Sequence, residues 1–273
     1  MQRHRRLSPL IPICAALMAA AVLPAAAQPV PADLVRAELI AGWPTATGYM
    51  GALRLTLAPG WKTYWRAPGE AGIPPAFDWQ GSDNLAGVTY HWPQPQIFDL
   101  NGLRTLGYHD SLVLPIEFAG LRPGQPLNIV GHVNLGVCKD ICVPASVDVS
   151  ARLAGQGDGS TPIRAALAEE PRDGAAAGLG PARCAAEPTR DGLRLTADIP
   201  MKGAERGDFA VVELADASVW VTPVEQRATN GHLVQVADLV PSAARPFALD
   251  RSSVRLTVFT RSGAAYQLSG CTG

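Results

Sequence analysis

Short runs of alternating apolar and polar residues dominate the chain, separated by Gly, Pro, Asn and Asp. A period of two marks strands with one buried face, and the helical period is nearly absent. Leu34–Ile40, Gly51–Leu57 and Thr63–Arg66 read as the first strands, the last two joined by the turn Ala58-Pro59-Gly60. The stretch from Pro68 to Gly107 reads as a long Pro-rich loop holding short strands around Phe77–Trp79 and Val88–His91. Strand patterns return at Leu112–Phe118, Leu127–Val133 and Val143–Leu153. Strands at this spacing without intervening helices predict an antiparallel β-sandwich of immunoglobulin-like type.

Residues 154–183 change character. Thr161-Pro162 resembles an N-cap followed by a first-turn proline, which predicts a short helix over Ile163–Glu169. The Gly- and Ala-rich Pro171–Pro181 then reads as a linker. A second strand series follows: Leu193–Ile199, Phe209–Leu214, Val219–Val224, Leu233–Val236, Val254–Thr260 and Ala264–Leu268. The expected organisation is all-β: a sandwich over 28–153, a helix and linker over 154–183, and a smaller β domain over 184–273.

The beginning of the chain is read apart from the fold. Arg3, Arg5 and Arg6 precede an apolar run from Leu10 to Leu23, and Ala25-Ala26-Ala27 supplies small residues for cleavage. This is the pattern of an export signal over residues 1–27, cleaved after about Ala27. The run is shorter than the roughly 20 residues a membrane-spanning helix needs. The expected location is therefore the periplasm. Basic and acidic residues nearly balance, 23 against 24, which gives no basic surface for nucleic acid. The hydrophobic share of 47% excludes wholesale disorder.

Removing residues 1–27 leaves four cysteines, Cys138, Cys142, Cys184 and Cys271, an even number that points to disulfides in an exported protein. Cys138-Lys139-Asp140-Ile141-Cys142 falls between two strand patterns, so it flanks a hairpin. Paired strands bring β-carbons to about 4.5–5.5 Å, near disulfide range. Closing so short a loop gains only about 2 kcal/mol, whereas closing the span from Cys184 to Cys271 gains about 4.6 kcal/mol. That difference corresponds to roughly 50 mV of two-electron potential. Cys138–Cys142 is the bridge easier to reduce, and Cys184–Cys271 reads as a structural disulfide bracketing the second domain. Zinc or copper held by the two thiols with His132 or His109 is a rival, as is a purely structural bridge. A lone C-x-x-x-C is a weak metal motif, so no metal site is assigned. The sequence carries no Ser/His/Asp signature, phosphate-binding Gly loop or zinc-hydrolase motif.

Gly131–Pro144, GHVNLGVCKDICVP, and Pro59–Arg66, PGWKTYWR, resemble the N-terminal periplasmic domain of the thiol:disulfide interchange protein DsbD. The segment Trp92–Pro115, with FDLNGLRTLGY, is similar to the same family, particularly its copper-tolerance and disulfide-correcting variants. The resemblance covers roughly residues 30–153. It implies an immunoglobulin-like domain whose cysteine pair, here Cys138 and Cys142, shuttles electrons without an organic cofactor. It also implies an aromatic-bearing cap loop over the disulfide, in the place of Phe98 and Asp99, and an aromatic of the Pro59–Arg66 strand, Tyr64, lining the cysteine pocket. By family position Cys142 is the attacking thiol. The family's best-known member has a wider cysteine spacing than the one here. The sequence shows no thioredoxin-type C-x-x-C, so the expected donor is a separate membrane-embedded or thioredoxin-like carrier, and the expected acceptors are periplasmic disulfide proteins. Alternatives from other classes are a copper- or zinc-binding accessory protein and an immunoglobulin-like binding module with a structural bridge.

Overall fold

The computed structural model describes residues 34–100, 102–229, 231–242 and 247–273. The apolar alternation closes into four sheets. The first ten strands are β1 (Val35–Pro44), β2 (Gly48–Leu57), β3 (Lys62–Gly69), β4 (Ala76–Asp78), β5 (Leu85–Tyr90), β6 (Gln96–Leu100), β7 (Leu103–His109), β8 (Ser111–Gly120), β9 (Leu127–Cys138) and β10 (Cys142–Leu153). They form a sheet ordered β1-β2-β8-β5 and another ordered β10-β9-β3-β7-β6, with β4 added alongside β9. β9 alternates strictly from Leu127 to Leu135, burying Leu127, Ile129, Val133 and Leu135. β8 supplies Leu112, Leu114, Ile116 and Phe118 to the same core. This is the all-β sandwich expected from the period-two pattern.

The long loop expected over 68–107 is instead partly built. β6 and β7 form a hairpin from Gln96 to His109, with Leu100 opposite Leu103. Phe98 and Asp99 therefore stand on a strand. The sequence signal was present: Asn101-Gly102 is the strongest two-residue hairpin dipeptide, and Gly102 takes φ +82°.

Helix α1 (Ser160–Ala168) starts earlier than expected, with Gly159 as its N-cap. Pro162 still falls in the first turn, where a missing N–H removes no intrahelical bond. Ile163 is fully buried against Met50 and Ala52 on β2. The bulge in β1 makes room for it: a β-carbon at Gly42 would lie 2.9 Å from Ile163 Cδ1 and 2.6 Å from the Met50 carbonyl oxygen.

The remaining strands are β11 (Arg172–Asp173), β12 (Arg183–Pro188), β13 (Leu193–Met201), β14 (Phe209–Glu213), β15 (Val219–Thr229), β16 (Gly231–Pro241), β17 (Arg255–Phe259) and β18 (Ala265–Ser269). They make a second sandwich from sheets ordered β11-β18-β17-β14 and β12-β13-β16-β15. Much of the stretch read as a linker is packed into it. β11 pairs in parallel with β18, and Leu179 and Ala182 enter the second core. Cys184 on β12 is bonded to Cys271 just after β18, so the bridge joins the two sheets.

The two sandwiches share apolar packing through β3. Trp65, fully buried, meets the Phe259 ring edge-on with centroids 5.7 Å apart, and Phe259 stacks on Phe209 at 5.0 Å. Beside them the Arg66 guanidinium donates to both Glu213 carboxylate oxygens, at 2.8 and 3.1 Å, and to Gln267 Oε1 at 3.2 Å. Truncating a buried phenylalanine costs about 3–5 kcal/mol. Because Phe259 serves both sandwiches, Phe259→Ala should lower the urea midpoints read by far-UV circular dichroism and by tryptophan fluorescence together. Two separated transitions with only one displaced would show that the interface does not couple them.

Candidate functional site

The site is built on three adjacent strands, β10, β9 and β3. The β9–β10 hairpin pairs Cys138 with Cys142 in register, and the two are bonded to each other. The three intervening residues close the turn, with the Lys139 amide donating to the Ile141 carbonyl at 3.1 Å. Hairpin register thus places the sulfurs together, as the spacing predicted. Burial separates them: Cys138 is 1% exposed, whereas Cys142 lies on the exposed side of the turn.

β3 lies against the other edge of β9, with Lys62 opposite Cys138 and Thr63 opposite Val137. Thr63 Oγ1 donates to the Gly136 carbonyl at 3.0 Å, which locks the two strands. Tyr64, 2% exposed, donates its hydroxyl to Cys138 Sγ at 2.9 Å and lies 3.1 Å from Cys142 Sγ. One hydroxyl therefore addresses both sulfurs. Burial raises its pKa above the ordinary tyrosine value, so the group is a proton donor through the neutral range.

Two glycines make space for that ring. A β-carbon at Gly72 would lie 2.8 Å from Tyr64 Cδ1, and one at Gly136 would lie 3.1 Å from Tyr64 Cδ2. Ile73 follows Gly72 and closes over Gly136, with its Cβ 2.8 Å from the same hypothetical atom. The segment after β3 therefore covers the tyrosine, a role that sequence reading did not give it. Gly-Ile-Pro-Pro at 72–75 was its available signal.

Residues two apart on a strand share a face, so Lys62 stands on the Tyr64 side of β3. Its ammonium sits 4.4 Å above the Phe98 ring and donates to Thr105 Oγ1 at 3.3 Å. Desolvation lowers its pKa. Phe98 thus meets the site through Lys62, which sequence reading also passed over. Asp99 points elsewhere in function: it is exposed and lines a cleft shared with the second sandwich. Lys139 folds back over Gly60, its Nζ 3.2 Å from where a β-carbon would stand. His109 pairs with Asp110 and His132 with Asp148, each at 2.8 Å. Among the described residues no group of three or more His, Cys, Asp and Glu is arranged to hold a metal ion.

The family described as thiol:disulfide interchange protein DsbD, N-terminal, matches residues 29–154, which span the first sandwich and its cysteine hairpin. The first sandwich is therefore similar to the DsbD N-terminal family over its whole length. A solved structure, the N-terminal periplasmic domain of ScsB from Proteus mirabilis, is similar in fold with a TM-score of 0.60. It is 24% identical, and the alignment covers 88% of this chain and 92% of that one. The likeness therefore extends over both sandwiches, beyond the DsbD-like part. A search of curated proteins finds no match. Among the described residues no helix is long and apolar enough to cross a membrane.

A hydrogen bond to a charged acceptor is worth about 1.5–3 kcal/mol. In the reduced protein the Tyr64 hydroxyl is placed to donate such a bond to a thiolate. Tyr64→Phe should therefore slow iodoacetamide labelling of the reduced pair at neutral pH by about tenfold, with the difference shrinking as pH rises. An unchanged rate profile would mean that the hydroxyl only packs against the sulfurs.

Proposed function

We propose that the chain is a periplasmic thiol–disulfide exchange module that passes reducing equivalents through Cys138 and Cys142. The observation that carries this reading is the asymmetric pair under one hydroxyl: a buried Cys138, an exposed Cys142, and Tyr64 within hydrogen-bonding distance of both sulfurs. The match of residues 29–154 to the DsbD N-terminal family supports it. Loop length supports it too, since a five-residue ring holds its bond by about 2 kcal/mol of chain entropy and is readily opened.

The chemistry needs no cofactor. In the reduced module the Cys142 thiolate attacks one sulfur of a partner disulfide, forming a mixed disulfide and expelling the partner's other sulfur as a thiolate, which takes a proton. Cys138, deprotonated in turn, attacks Cys142 Sγ, restores the internal bridge and releases the second partner thiolate. Two electrons and two protons have then passed to the partner. A separate dithiol carrier, membrane-embedded or thioredoxin-like, reverses the sequence and is itself oxidised. Tyr64 donates to whichever sulfur bears the charge, and Lys62 adds a positive charge on the same face of β3. Ile141, 68% exposed between the cysteines, and Ile73, 38% exposed over Gly136, give an incoming partner apolar contact. Phe98, beneath the Lys62 ammonium, forms part of the cover that a partner displaces.

The division of labour gives a direct test. Cys138→Ser leaves the exposed thiol without its resolving partner, so it should accumulate a mixed disulfide with an oxidised thioredoxin-like protein, read on a non-reducing gel. Cys142→Ser should give at least tenfold less adduct. Equal trapping by both variants would remove the assignment of Cys142, and trapping by neither would remove exchange.

A further inference from the structure

A cleft of about 650 Å³ lies between the sandwiches, away from the sulfurs. Its second-sandwich wall includes consecutive residues, Phe209–Glu213 along β14 and Val219–Val221 along β15, together with Gln235 and Ala237 of β16. Consecutive lining residues mean that the cleft runs along strand edges, since a face would contribute only every second residue. Among the described residues β14 and β15 are each the terminal strand of their sheet, so neither has a hydrogen-bonded strand on its outer edge. The opposite wall comes from Pro74, Pro75 and Arg104 of the first sandwich.

The dimensions match an extended chain. The five residues of β14 run about 17 Å at 3.3 Å each. Strands spaced about 4.8 Å apart in sheets about 10 Å apart occupy about 160 Å³ per residue, so the cleft holds about four extended residues.

Its polar groups are those of a site awaiting a partner. Gln235 is 3% exposed and lines the cleft, and its Nε2 donates to the Glu225 and Val236 carbonyls at 3.2 and 3.0 Å. Its Oε1 has no partner among the described residues. Arg104 Nε is likewise buried without an acceptor, although Nη1 donates to Gln226 and the guanidinium covers the Phe209 ring. An unpaired buried polar atom costs about 1–3 kcal/mol. One acceptor and one donor are the complement of a peptide unit's N–H and C=O. The charge is lopsided as well: five carboxylates, Glu70, Asp99, Glu213, Asp216 and Glu225, face two guanidiniums, Arg66 and Arg104. Arg66 is already paired with Glu213, and Glu225 is bridged to Arg227 outside the cleft. Trp220, 56% exposed, offers an aromatic face at the edge.

We propose that this cleft binds an extended, lysine- or arginine-bearing peptide segment of a partner protein. The segment lies along the β14 and β15 edges, gives a backbone N–H to Gln235 Oε1 and a carbonyl to Arg104 Nε, and sets its cationic side chains against the acidic rim and Trp220.

The probe is a fluorescein-labelled Val-Lys-Val-Lys-Val peptide with blocked ends, titrated with the full chain and followed by anisotropy. Saturable binding is expected, at least tenfold tighter than for the Val-Glu-Val-Glu-Val counterpart, and weakened about tenfold by 0.5 M NaCl. Gln235→Leu and Trp220→Ala should each weaken it fivefold or more. Trp220 is exposed, so its variant keeps the fold and decides the matter if Gln235→Leu does not fold. The Cys142→Ser chain should bind the peptide with unchanged affinity, which separates this site from exchange. Absence of saturation, equal affinity for both peptides, or binding indifferent to Trp220→Ala would overturn the proposal.

Discussion

Strand β3 is the constraint on which the rest of the molecule depends. Its first residues send Lys62 and Tyr64 to the sulfur side, and past the irregularity that follows Tyr64, Trp65 and Arg66 both reach the second sandwich. Backbone pairing to β9, locked by Thr63 on the Gly136 carbonyl, fixes how far the tyrosine hydroxyl stands from the cysteine turn. A hydrogen bond tolerates only a few tenths of an ångström. The tyrosine can meet both sulfurs because the strand that carries it is held at both faces. The second sandwich thereby acquires a mechanical role, bracing β3 through Phe259 and the Arg66–Glu213 pair. The partly buried ion pair adds definition of geometry more than stability, since desolvation offsets much of its attraction.

The two bridges differ in what surrounds them as much as in loop length. Cys184 is 2% exposed, and its amide donates to the Thr272 carbonyl at 2.7 Å, so that bond is set inside hydrogen-bonded strand ends. Cys142 sits at a turn beside the exposed Ile141. An attacking thiolate needs access to a sulfur, and the exposed Cys142 offers more of it than the half-buried Cys271. Chain entropy and access thus favour opening of the same bond.

Most of the fold was legible because one face of nearly every strand is buried, which imposes period two on the sequence. β8 and β9 show this plainly. The hairpin of β6 and β7 was obscured by the prolines at 93 and 95 and by its mixed faces: Phe98 is half-buried under a lysine, and Asp99 faces a cleft. The supposed linker was misread because Gly and Ala dominate it, although Leu179 anchors it in the second core. At the site, Cys138, Cys142 and Tyr64 were named from sequence, and the structure brings all three together. Lys62 and Ile73 were passed over, because an isolated lysine and an isoleucine between glycine and proline acquire meaning only once pairing sets them beside the tyrosine. The cleft was invisible for the same reason, being assembled from residues more than a hundred positions apart.

The central claim is that Cys138–Cys142 is an exchangeable bond on a fixed frame. The measurement that addresses it most directly incubates the oxidised chain with one equivalent of a reduced thioredoxin-like protein, quenches with an alkylating agent, and maps the modified cysteines by mass spectrometry. The account predicts alkylation confined to Cys138 and Cys142, with Cys184–Cys271 intact and the donor oxidised in equal amount. Alkylation appearing first at Cys184 and Cys271, or no transfer to either pair, would contradict it.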